Sequence, residues 1–564
     1  FFFQAEDGIR DTAVGGNVSF AGIKVTNLGW DQYINATAGA TMTLGSSGID
    51  MSSAAANLSI AAVMDLSASQ TWTVASGRTL AVSGASVGAG TITLTGSGTY
   101  SLGGNSTLSS GVVVSGALGT GTVNLEDGIH IASTTNRTIA NALNLNGNIS
   151  IDMTSTNVLN FIGGMNVGSS TRTITINNTS GSATSPSLAF GGGVGSTSSQ
   201  ITGSGMLVFE NGNASGSPVV SVRLGSGSPN DYTVISSDVT IGSGVSLITA
   251  TSNTLTASSD MTVNTGGILN LSNNGGSSAS QTIGSLSGGG TVVNSSTSNG
   301  TAILTIDGGS NVSRTTFSGT VQNGSTAFVS IVKSGSTTQV FSGANNYTGA
   351  TTVNGGTLLI DGTHIQTVNG SGYTVNSGAT LGGTGRFSRF SSSNTTSAVL
   401  VNSGGTLAPG DGGTGTLTLD GVNFSGVNTR VLNMASGAKF SFDLAGDGSA
   451  ADQVAFWNYV SGDLLLNSNA INLSIIGTLV EGTYTVSLFK FYSDSGTTLT
   501  TSGITTGLTI GTLDPSIQGT PTLTYNSAGG TIDITYTVVP EPATWALAAL
   551  GLTSILVLRR RQAC

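Results

Sequence analysis

The sequence predicts an all-β fold: a right-handed parallel β-helix, or solenoid, with a β-rich C-terminal cap and one short C-terminal transmembrane helix. Three observations lead there. Only 7% of the 564 residues are charged, against roughly a quarter in ordinary globular chains, and Gly, Ser, Thr, Asn and Val dominate what remains. A short unit recurs along the chain. No stretch before Val538 carries a long amphipathic helical pattern with caps.

Composition first separates this chain from disordered low-complexity sequence. Disorder combines low hydrophobicity with high net charge, whereas here mean hydropathy is +0.22 and the formal charge is −10. The β-branched content therefore argues for strands. With 16 Lys+Arg against 26 Asp+Glu, the chain lacks the basic footprint of phosphate contacts, so nucleic acid is excluded as a partner. The single cysteine, Cys564, rules out a disulfide within the chain and a thiolate metal cluster.

The recurring unit is an apolar residue, two small or polar residues, Gly, two more residues and Leu. It reads VASGRTL from Val74, IGSGVSL from Ile241, VNTGGIL from Val263, VNSGATL from Val375 and VNSGGTL from Val401, with VNGGTL from Val353 one residue shorter. Each copy has the form strand, corner, strand: side chains alternate on either side of a Gly-bearing turn. Strands joined by corners and repeated many times describe a solenoid whose coils bury a continuous core between them. A coil of about 20 to 25 residues is expected over residues 13–425. An array of β-sandwich domains is the competing reading, and it calls for more aromatic core residues and sharper breaks.

The stretch Phe341 to Gly362, FSGANNYTGATTVNGGTLLIDG, resembles the autotransporter-associated β-strand repeat. The pattern is met at Ser342, Gly343, Asn345, Tyr347, Gly349, Thr351, Val353, Asn354, Gly356, Thr357 and Leu358. The resemblance is strongest over 281–421 and implies a parallel β-helix in a large surface protein.

Residues 426–537 have more aromatics and cleaner alternation, as in AKFSFDLAGDGSAADQVAFWNYV, and read as a β-rich segment closing the open end of the solenoid; a carbohydrate-binding domain is the alternative. At the other end, the chain begins with Phe1 and shows no signal-peptide pattern. Gln4 to Asp11, QAEDGIRD, back-translates to an oligonucleotide resembling a sequencing adapter. Residues 1–12 are accordingly expected to be an assembly artefact.

No stretch names an active site. GASVG, Gly84 to Gly88, fits G-x-S-x-G by composition and lacks the strand-to-helix elbow of a nucleophile. His130 and His364 both follow Gly-bearing turns and are expected to be exposed and solvated. The Gly-rich stretches at Gly382 and Gly412 put Phe387 and Leu417 where a calcium-binding roll needs a carboxylate. Asp447 and Asp452 read as a solvated turn, and Glu126 and Asp127 are adjacent, so a strand would send them to opposite faces. The expectation is a protein that is not an enzyme and carries no cofactor.

The end of the chain is different. Ala543 to Leu558 is a 16-residue apolar run, about 24 Å as a helix and short of a hydrocarbon core of roughly 30 Å. Trp545 is placed for one membrane interface, and Arg559, Arg560 and Arg561 for the cytoplasmic side. With Pro540, Glu541 and Pro542 just before it, the segment 538–564 resembles the PEP-CTERM sorting signal of Gram-negative bacteria. That resemblance implies processing by an exosortase-type membrane protease, a transient stay in the inner membrane, and release to the cell surface or an extracellular polysaccharide matrix. The function expected is that of a structural or adhesin-like surface protein. A β-helical polysaccharide lyase or hydrolase is the alternative, and an autotransporter passenger the second.

Overall fold

The computed structural model describes residues 2–3, 11–26, 29–37, 39–153, 156–178, 187–191, 200–213, 219–225, 233–272, 276–309, 313–366, 371–389, 397–420, 430–458, 464–492 and 507–539. Among them there is no α-helix, and no helix long and apolar enough to cross a membrane; the apolar run 543–558 lies outside them. The chain divides into two compact units, Phe1–Val332 and Lys333–Cys564.

The first unit is a stack of three-sided coils. One coil runs Val123–Leu125, His130–Ser133 and Arg137–Ile139, and the next runs Leu143–Leu145, Ile149–Met153 and Leu159–Phe161. Each strand pairs in parallel with its counterpart one coil on: Val123 with Leu143, His130 with Ser150, Arg137 with Leu159. The amino-terminal strands join the same ladders, Phe2–Phe3 beside Lys24–Val25 and Asp11–Val14 beside Tyr33–Ala36.

Period-two alternation sends every second side chain inward, so core residues stack in columns. Leu80, Tyr100, Ile131, Ile151 and Ile176 form one column, each no more than 2% exposed. Fully burying such a side chain contributes roughly 1.5–3 kcal/mol. The large polar side chains Trp72 and Tyr100 find partners inside: Trp72 Nε1 donates to Gln70 Oε1 at 2.8 Å, and Tyr100 Oη donates to the Trp72 carbonyl at 2.6 Å.

The second unit repeats this plan. One face is Thr338–Phe341, Thr357–Ile360, Thr380–Gly383, Thr406–Pro409, Lys439–Ala445 and Asn469–Ile476, all in parallel register. A second runs Thr351–Val353, Tyr373–Val375, Val399–Val401 and Leu432–Met434. The third runs Thr363–Gln366, Arg386–Arg389, Thr416–Asp420, Gln453–Trp457 and Gly482–Phe491. On this third face the pairing then changes sense. Thr531–Val538 lies antiparallel to both Gly482–Phe491 and Ile517–Asn526.

The six copies of the recurring unit are strand–corner–strand in the structure. VNSGGTL, for example, is the end of Val399–Val401, a turn and the start of Thr406–Pro409. The fourth position is Gly in every copy, and all six (Gly77, Gly244, Gly266, Gly356, Gly378 and Gly404) have φ between 60° and 82°. Side chains rarely adopt that conformation, and this explains why the position is Gly.

Coil length departs from the expected 20 to 25 residues. It is 19 from Thr338 to Thr357 and 35 from Arg172 to Leu207. Only the strands must keep register, whereas an outward corner lengthens at a cost that rises slowly with its size.

Candidate functional site

The repeat signature occupies one coil of the second unit, and its residues divide between packing and corner-making. Val353 and Leu358 are fully buried and point into the core. Thr357 sits in a column of threonines with Thr338, Thr380 and Thr406. Ser342 is exposed, and the Gly343 carbonyl accepts from Asn345 Nδ2 at 3.2 Å. Asn354 starts an asparagine ladder: Asn376 Nδ2 donates to Asn354 Oδ1, and Asn402 Nδ2 to Asn376 Oδ1, each at 2.7 Å. A ladder of like amides satisfies each side chain from its neighbour above, which suits a stack of repeats.

Tyr347 and Thr351 belong to a buried polar cluster. Tyr347 Oη and Thr351 Oγ1 are 2.7 Å apart, and the Tyr347 ring stacks on the His364 imidazole at 4.1 Å between centroids. His364 Nε2 lies 2.8 Å from the Tyr347 carbonyl, and Nδ1 lies 2.5 Å from Tyr373 Oη. A carbonyl only accepts, so Nε2 carries the proton and the Tyr373 hydroxyl donates to Nδ1. Phe387 closes the cluster, edge-on to Tyr373 at 4.5 Å. Gln366 donates to the Tyr347 carbonyl at 3.3 Å and to that of Gly349 at 3.5 Å.

His364 corrects the expectation of a solvated imidazole: it is 1% exposed. Burial drives its pKa down to about 4, against the opposing pull of the Tyr347 carbonyl. Burial likewise raises the Tyr347 and Tyr373 hydroxyls well above the usual phenol range. The cluster is a neutral pillar inside the coil stack. His130 does keep a partly exposed side chain, with Nδ1 2.8 Å from Asp152 Oδ2.

Asp452 is a second correction. Asp447 does sit in a solvated turn, capped by Ser449, but Asp452 is 1% exposed. Its carboxylate accepts the backbone N–H groups of Gly415 and Asp443, both at 2.8 Å, and so fastens the 446–451 turn to the preceding coil. Burial raises its pKa to about 7 despite those two donors. Among the other candidates for chemistry, Ser86 of GASVG is fully buried and its Oγ accepts from the Met64 N–H at 3.2 Å. Asp127 accepts from the Asn148 N–H, and Glu126 from Asn146 Nδ2. Among the described residues no three His, Cys, Asp or Glu side chains are grouped to hold a metal ion.

Pro540, Glu541, Pro542, Trp545, Arg559, Arg560 and Arg561 lie outside the described residues. What precedes them is firmly held. Thr531–Val538 is bonded along both edges, and the Val539 N–H donates to the Ser516 carbonyl at 2.9 Å.

No curated protein matches the chain. Of solved structures, the crystal structure of the Haemophilus influenzae Hap adhesin aligns at 12% identity with a TM-score of 0.20, covering 90% of this chain. The alignment spans 64% of the adhesin, less than two thirds of its length. Two family models match. Residues 331–360 fit the passenger-associated-transport-repeat, the segment that holds Tyr347 and Thr351 of the buried cluster and the start of the asparagine ladder. Residues 538–561 fit the PEP-CTERM protein-sorting motif, beginning at the last residue of the last strand. Together they mark an exported protein of the cell surface or exterior.

Proposed function

We propose that this chain is a structural, adhesin-like β-helical protein of a Gram-negative bacterium, delivered to the envelope or an extracellular polysaccharide matrix and not itself an enzyme. The observation that carries the reading is the sorting motif at 538–561 on a chain whose described body is stacked parallel coils. In this reading an exosortase-type membrane protease recognises Pro540-Glu541-Pro542. Two prolines keep such a segment extended and open to an enzyme cleft. The run 543–558 holds the chain in the inner membrane as a short helix, with Trp545 at the outer interface and Arg559 to Arg561 at the cytoplasmic one. The coils wind right-handed and run past residue 425 as far as Gly482–Phe491, and the antiparallel strands Ile517–Asn526 and Thr531–Val538 that follow cap them.

The antiparallel strands support the capping role. An antiparallel hairpin at the end of a parallel face changes the edge that another chain would meet, which discourages end-to-end addition. The sorting role is tested by Pro540→Ala/Pro542→Ala: the protein is expected to build up unprocessed in the inner-membrane fraction. Unchanged processing and an unchanged surface fraction would remove the motif from the mechanism.

A further inference from the structure

On the third face of the second unit, stacked coils bring a cation, an indole, a phenol and a second cation into one chain of contacts. Arg386 Cζ lies 5.3 Å from the centroid of the Trp457 ring. Trp457 and Tyr492 are 5.2 Å apart at 40°, and Lys490 Nζ lies 4.8 Å from the Tyr492 ring. Its first member, Arg386, is fixed from beneath. The Asp420 carboxylate, whose side chain is wholly buried, accepts Arg386 Nε at 3.1 Å, a second bond from Arg386 Nη2, and Asn458 Nδ2 at 2.8 Å.

Although Arg386 is held in this way, it and Trp457 face water, and Tyr492 and Lys490 beside them are half-buried. Trp457 is 42% exposed and the Arg386 side chain 43%. An indole needed only for packing turns inward, as Trp72 does at 0%. The chain is 6% aromatic and has 16 Lys+Arg in 564 residues, so two rings and two cations in one chain of contacts stand out against its composition. An exposed indole backed by a second ring and flanked by cations marks an interaction site.

We propose that this row binds an acidic polysaccharide. A sugar ring presents a face of C–H groups that packs on the electron-rich surface of an indole or phenol. A uronate also carries a carboxylate, which the guanidinium can meet with directional N–H donors and the ammonium as a point charge. Asp420 balances the charge of Arg386, which leaves Lys490 as the excess positive charge that separates acidic from neutral polymers. Arg386, already clamped in the free protein, loses little freedom on binding. The site gives the polysaccharide-matrix reading a physical contact, and the two fail separately: binding in vitro does not depend on how the tail is processed.

Affinity electrophoresis of the full chain in gels containing polygalacturonate, with dextran as the neutral probe, tests the row. Polygalacturonate is expected to retard the wild type and dextran to leave it unaffected. Trp457→Ala is expected to weaken retardation at least about tenfold, and Lys490→Gln about threefold with reduced sensitivity to salt. Trp457→Phe keeps a ring in place and is expected to retain most binding. Urea midpoints confirm folding, and Lys490→Gln, which leaves both rings in place, decides the matter if Trp457→Ala disturbs it. Absence of retardation by polygalacturonate, equal retardation by dextran, or full binding by a folded Trp457→Ala or Lys490→Gln protein would each overturn the proposal.

Discussion

Relative to wild type, the His364→Gln protein is expected to gain about 3 kcal/mol of stability as the pH falls from 7 to 4. His364 is fully buried as a neutral imidazole, with a folded pKa of about 4 against 6.5 for the free side chain. In that window the unfolded chain binds the proton and the folded chain does not. The His364 contribution is therefore complete above about pH 6.5 and is lost as the pH falls towards 4. Asp452 has the opposite sign. Its folded pKa of about 7 lies above the free value of 3.8, so its contribution is complete below about pH 4 and is lost as the pH rises through 7. In the wild type the two slopes oppose each other, and removing His364 exposes that of Asp452. Urea unfolding of both proteins at pH 4, 5.5 and 7 reads the difference directly. Parallel pH profiles would mean that His364 is not held neutral.

Tyr347→Ala is expected to cost about 3–5 kcal/mol, the range for deleting a buried aromatic ring from a packed core. The ring is fully buried, stacks on His364 and carries the hydroxyl that meets Thr351. Tyr347→Phe keeps the stack and leaves the Thr351 hydroxyl without that partner, at a cost of about 1–3 kcal/mol. The urea midpoints of the pair separate packing from hydrogen bonding. A Tyr347→Ala loss below about 1 kcal/mol would show that the coil relaxes around the missing ring and that the cluster is no pillar.

The same residues show what could be read from the sequence. The strand–corner–strand units were legible because two local rules agree: alternation sets the faces, and a Gly at the fourth position marks the positive-φ corner. His364 was not, because hydropathy points the wrong way. In Thr363–Gln366 the apolar Ile365 is 44% exposed, while His364 and Gln366 are buried. Register overrides preference there. His364 pairs with inward-facing Phe387 and Ile365 with Ser388, and Tyr347 and Tyr373 supply the partners that make an imidazole tolerable inside.

The burial of Asp452 is hidden from the sequence for a similar reason, since both of its N–H donors come from backbone distant in sequence or across a turn. Variable coil length was also invisible, because a corner's sequence does not say how far it loops out. The Trp457 row could not be seen either: Arg386, Asp420 and Trp457 are brought together only by stacking three coils. The sorting segment is the reverse case. Motif, apolar run and arginines are contiguous, so sequence alone displays them.

If this tail is a removable address on a β-helical body, the mass of the mature C terminus reports its removal. Protein recovered from the cell surface or medium is expected to end near Pro540-Glu541-Pro542 and to lack every peptide from Trp545 to Cys564, while the inner-membrane fraction retains them. Surface protein that still carries Arg559-Arg560-Arg561 would contradict the claim.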